Sequence, residues 1–81
     1  MKLPRNVSGN ELIKSLQKIG YIVTRQKGSH LRLTCILPNG EHHVTIPNHD
    51  PIKIVTLSSI ISNIAQAHHI AKTDIIDKIF G

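Results

Sequence analysis

The chain has 81 residues, ten Lys and Arg against five Asp and Glu, a formal net charge of +5 and a pI near 9.8. One domain of this size buries about 60–65% of the surface its unfolded chain exposes, so there is a single modest core and any site lies on its surface or edge. The one cysteine, Cys35, excludes an intrachain disulfide and a thiolate metal cage. The opening MKLPRNVSGN lacks the apolar run of a signal peptide, and no stretch approaches the ~18 apolar residues of a membrane span, so a cytoplasmic protein is expected.

The charge is uneven. Up to Arg32 the chain carries Lys2, Arg5, Lys14, Lys18, Arg25, Lys27 and Arg32 against Glu11 alone, whereas from residue 33 onward three Lys face four acids. A positive first part points to a polyanion or an acidic partner. With only Tyr21 and Phe80 as aromatics, a base-stacking platform is excluded.

Residues 1–7 read as an N-terminal extension, expected to fray, in a single domain spanning 1–81. Ser8 and Glu11 have capping-box spacing and Val7 and Leu12 that of a hydrophobic staple, which predicts a helix from Gly9. Leu12, Ile13, Leu16 and Ile19 form its apolar face, and Gly20 supplies the left-handed stop. Residues 21–26, YIVTRQ, read as a strand broken at Gly28. HLRLTCIL then alternates, with Leu31, Leu33, Cys35 and Leu37 on the face to be buried and His30, Arg32, Thr34 and Ile36 on the other.

After the Pro38-Asn39-Gly40 turn, EHHVTIP alternates again, with Val44 and Ile46 on one face. Burying one face of this hairpin requires opposed residues to have numbers summing to an odd total. A two-residue loop closing Leu37 on Gly40 is expected to need Pro38 at positive φ, which proline cannot adopt, so a four-residue loop over 38–41 is expected. That pairs Leu37 with His42, Cys35 with Val44 and Leu33 with Ile46, and sets His30 opposite His49. Val55 to about Ala67 carries Leu57, Ile60, Ile61 and Ile64 at helical spacing, and Thr73 to Phe80 reads as a short last helix. The result is an α+β fold of two layers, helices on one face of a three-stranded antiparallel sheet and the other face open.

Six histidines raise the question of a metal. His42 and His43 are strand neighbours pointing to opposite faces, His68 and His69 sit at a helix end where the dipole favours them, and neither an HExxH pair nor a Cys/His quartet occurs. No metal and no cofactor is expected. His30 is either a solvated strand residue or a reacting group. Arg25, Lys27 and Arg32 surround it in sequence, Gly28 allows close approach, and the pairing brings in His49. Two imidazoles among cations are what cleavage of RNA by its own 2′-hydroxyl requires: a base, an acid, and positive charge on the non-bridging oxygens. Imidazole titrates near ~6.5 and serves in either role at neutrality.

Gly28-Ser29-His30 after a strand carrying Gly20, Tyr21 and Arg25, followed by the Pro-Asn-Gly turn, the V-T-I-P-N-H run from Val44 to His49 and a TLSSII helix, resembles the HicA family of toxin ribonucleases over nearly the whole chain. The resemblance implies a fold like that of double-stranded-RNA-binding domains, metal-independent cleavage of mRNA, and neutralisation by a HicB antitoxin. It implies a catalytic His30 with Gly28 and Ser29 in the same element. His49 matches a further family position, either as proton-transfer partner or as a group that orients the 48–51 loop. Family members often carry Arg or Lys on the second helix. VTLSSIISNIAQ has none, which moves the expected RNA contacts to Lys14, Lys18, Arg25, Lys27 and Arg32. The alternatives are a non-catalytic double-stranded-RNA-binding module of the same architecture and a degenerate member kept for protein binding.

Overall fold

A computed structural model describing residues 2–81 has the order α1 (Gly9–Gln17), β1 (Ile22–Lys27), β2 (His30–Leu37), β3 (Gly40–Pro47), α2 (Ile54–His68) and α3 (Lys72–Phe80). The Ser8 hydroxyl accepts from the Glu11 N–H at 3.1 Å, and Val7 and Leu12 are both buried, as the capping box and staple predict. Gly20 at φ +97 ends the helical segment as expected. Within the described part of the N-terminal extension the chain is tied down and not frayed: Leu3 packs against the core, and the Val7 carbonyl accepts from Ile52 N–H at 2.8 Å.

The sheet order is β1-β2-β3, antiparallel throughout. Leu33, Cys35, Val44 and Ile46 are buried on one face against Leu12, Leu16, Leu57, Ile61 and Ile64 of the helices. Burial of such side chains stabilises by roughly 1.5–3 kcal/mol each, which holds the two layers together. The opposite face is open and carries His30, Arg32, Thr45 and, across from β2, Arg25 and Lys27. A bulge between Val23 and Arg25 adds one residue to β1, after which Arg25 stands opposite Arg32 and Lys27 opposite His30.

The expected hairpin register is corrected by two residues. Leu37 pairs with Gly40, Cys35 with His42, Leu33 with Val44 and Leu31 with Ile46, so His30 lies opposite Pro47 and not His49. The sums remain odd, and the buried face is the one expected. Neither Pro38 nor Asn39 takes positive φ; Gly40 does, at +129, so the conformation that proline refuses falls on the glycine after it. Strand β1 begins at Ile22, one residue late, because Tyr21 turns into the core and is fully buried.

Candidate active site

Gly28 at φ +59 and Ser29 form the two-residue turn between Lys27 and His30, positive φ at the first position only, as in a type II′ hairpin. A Cβ on Gly28 would meet nothing within 4 Å, so the approach to this turn is open. Beyond Pro47 the ladder continues by one bond, Asn48 N–H to the Ser29 carbonyl at 2.7 Å. The next residue, His49, is tied from the other side: its carbonyl accepts from Gly9 N–H at 2.8 Å. Gly9 has to be glycine here, since a Cβ would stand 2.7 Å from the Pro47 carbonyl oxygen and 2.9 Å from Asn48 Cα. Thus the turn before β2, the loop after β3 and the start of α1 are clamped together by backbone bonds.

The clamp places His30 between two depressions. One, of about 230 Å³, is lined by Arg25, Lys27, His30, Arg32 and Thr45. The other, of about 340 Å³, is lined by His30, Thr45, Pro47, His49, Ile52, Lys53 and Thr56. His30 and His49 therefore border one cavity although they are not paired across the sheet, and His30 borders the cationic one as well. Both imidazoles are exposed, as are Arg25, Lys27 and Arg32. Lys53 is the N-cap of α2, whose first turn has neither a side-chain cap nor an acidic residue, so its N–H groups add positive potential at the His49 side.

Lys14 and Lys18 are not brought to this face. They project from α1 in the helix layer, and the Lys18 ammonium donates to the Ile79 carbonyl at 3.2 Å, at the end of α3. Lys53, Thr56 and Thr45 join the site without standing out in the sequence as site residues, although Thr45 lies in the V-T-I-P-N-H run and Thr56 opens the TLSSII helix. The placement of a lone lysine before an uncapped helix also hints at the first two.

The remaining histidines are engaged elsewhere. The buried Tyr21 hydroxyl bridges His42 Nδ1 at 2.7 Å and His68 Nε2 at 2.9 Å, donating to one ring and accepting from the N–H of the other. Burial, and behind it the proximity of Cys35, raises the Tyr21 hydroxyl well above its usual range. Burial likewise lowers His42, with a contribution from His43, and lowers His68, with contributions from His42 and Lys78. His68 is the last residue of α2, at the helix end as expected, and its partly buried ring is also engaged by Tyr21, while His69 adopts φ 57 as the left-handed cap of α2. His43 points to the open face, where Thr34 Oγ1 lies 2.8 Å from its Nδ1 and Glu41 3.4 Å from its Nε2. Among the described residues no three His, Cys, Asp or Glu side chains are grouped to hold a metal ion, and no helix is long and apolar enough to cross a membrane.

No curated protein and no solved structure is significantly similar to this chain. Its sequence does match a family model, described as HicA toxin of bacterial toxin-antitoxin, over residues 9–68, from the first residue of α1 to the last of α2. That span contains the clamp, both depressions and every strand, and it covers well over half of the chain. The protein belongs to the HicA toxin family, the toxin side of bacterial toxin–antitoxin pairs.

Proposed function

We propose that this toxin is a metal-independent endoribonuclease acting on mRNA, with His30 as the group that moves a proton and a HicB-type antitoxin as its inhibitor. The observation that carries the reading is the position of His30, exposed on the open sheet face and bordering a depression shared with Arg25, Lys27 and Arg32. A strand of RNA laid on that face meets cations at its phosphates and an imidazole at its ribose. One imidazole removes the 2′-hydroxyl proton, the 2′-oxygen attacks phosphorus, the bond from phosphorus to the 5′-oxygen breaks, and an acid protonates that leaving oxygen. The product ends are a 2′,3′-cyclic phosphate and a 5′-hydroxyl.

Arg25, Lys27 and Arg32 offset the charge that gathers on the non-bridging oxygens. His49 is the second proton-transfer group in this reading, since it borders the cavity on the other side of His30. Gly28 and Ser29 hold the turn and expose the approach. Lys14 and Lys18, in the helix layer, contribute only to the long-range field.

The test is incubation of labelled single-stranded RNA with the purified protein in EDTA. Cyclic-phosphate ends are expected from the native chain and none from His30→Ala. Retardation of the RNA without cleavage would identify a binding module instead, and full growth arrest by a folded H30A chain would remove His30 from the mechanism.

A further inference from the structure

The sheet has two outer strands, and they are finished differently. β1 is interrupted by its bulge and carries Arg25 and Lys27, both of which discourage pairing with another strand. β3 pairs with β2 in unbroken register over all eight of its residues, and its only formal charge is Glu41. The bond from Asn48 N–H to the Ser29 carbonyl makes 29/48 a hydrogen-bonded pair. Alternation along an antiparallel ladder then turns the backbones of His42, Val44 and Ile46 toward β2 and those of Glu41, His43 and Thr45 outward. Along that outer edge runs a groove of about 540 Å³ between β3 and α2, with Ile60, Asn63, Gln66 and Ala67 on its helix side.

We propose that the outer edge of β3 is a docking site for an extended strand of the antitoxin polypeptide, which joins the sheet as a fourth strand through the backbones of Glu41, His43 and Thr45. A row of N–H and C=O groups at ladder spacing matches another polypeptide backbone, and alternate side chains of the added strand fill the groove against α2. Charge selects the partner: a chain of +5 draws an acidic one. Position supplies the inhibition. Thr45 lines the groove and both depressions beside His30, so a strand paired along β3 runs directly into the His30–His49 cavity and closes it. The inference rests on family membership for the existence of an antitoxin and not on the cleavage chemistry, so it survives or fails independently of His30.

The experiment compares Thr45→Pro with Thr45→Ala in binding to the antitoxin encoded with this chain. Proline at 45 deletes an outward N–H while leaving the bonds to β2 in place, as edge strands allow; alanine keeps that N–H. The expected result is antitoxin binding weakened about tenfold or more by T45P and changed little by T45A. Hydrogen exchange on the native complex needs no variant to fold: the amides of Glu41, His43 and Thr45 should slow at least about tenfold when antitoxin binds. Unchanged exchange at all three overturns the proposal, as does equal binding by folded T45P and T45A. Protection of these amides by single-stranded RNA but not by antitoxin assigns the groove to substrate and overturns it too.

Discussion

Two histidine neighbourhoods occupy opposite sides of this small sheet. At the end of the sheet His30 and His49 face solvent among Arg25, Lys27, Arg32 and Lys53. On the helix side His42 and His68 close on the Tyr21 hydroxyl, and partial burial disfavours the charged form of both rings. The side chain is the same and its use is opposite. An imidazole that exchanges protons with a substrate has to be reachable and has to tolerate charge; one that completes a partly buried hydrogen-bond network is better kept uncharged. The contrast predicts that substitutions at the first pair change chemistry without changing stability, and that substitutions at the second do the reverse.

The largest expected effect tests the exposed side. His30→Ala should lower RNA cleavage by about 10²–10⁴-fold, the usual contribution of a proton-transfer group, while the thermal unfolding midpoint stays within error because His30 is exposed. A loss of cleavage matched by a loss of folding would merge the two neighbourhoods into one structural effect. Next in size is Tyr21→Phe, which leaves both imidazole nitrogens without the hydroxyl between them. That should cost roughly 1–3 kcal/mol, read in denaturant unfolding, and leave the cleavage rate of the folded fraction unaltered. Unchanged stability would mean that water replaces the hydroxyl at no cost and that this centre is not a closed interior network.

A subtler effect follows from pH. His42 and His68 are both shifted down from the ordinary 6.5 by burial, so the unfolded chain takes up protons at a pH where the folded chain still refuses them. Their contribution to stability is complete above about pH 6.5 and is lost as pH falls below it toward their folded values. Urea midpoints measured between pH 7.5 and pH 5 should therefore decline, and replacement of both rings by Gln should flatten that decline. A decline of equal steepness in the double variant would assign it to other groups.

Much of the fold is legible because local physics and burial agree. The Ser8 cap, the leucine alternation of β2 and the isoleucine stripe of α2 each point to one face, and the structure buries that face. The hairpin shows where such reasoning stops. Alternation constrains only the parity of the register, since a slip of two residues buries the same side of both strands. The count is set by the turn, and the turn escapes the constraint on Pro38 by moving positive φ to Gly40. His30 and His49 nevertheless border one cavity, because the bonds from Asn48 to Ser29 and from Gly9 to His49 gather three chain segments that no local pattern links. The Tyr21 bridge was hidden for the same reason. Its three residues are 21 and 47 positions apart, and in the sequence His42 and His68 are conspicuous only beside His43 and His69.

The smallest effect separates two lysines as the histidines are separated. Lys27 stands on the open face beside His30, whereas the Lys18 ammonium is committed to the Ile79 carbonyl, where a cation meets the negative end of α3. Lys27→Ala should weaken RNA binding about equally for all sequences and reduce the slope of log affinity against log salt by ~1, the signature of one lost phosphate contact. Lys18→Ala should leave that slope unchanged and lower stability by less than about 1 kcal/mol. Equal salt slopes for the two variants would mean that the phosphate track reaches around the sheet edge onto α1. The open face would then be only part of the nucleic-acid surface, and the separation of the two sides of the sheet by function would fail at its cationic residues even if it held at its histidines.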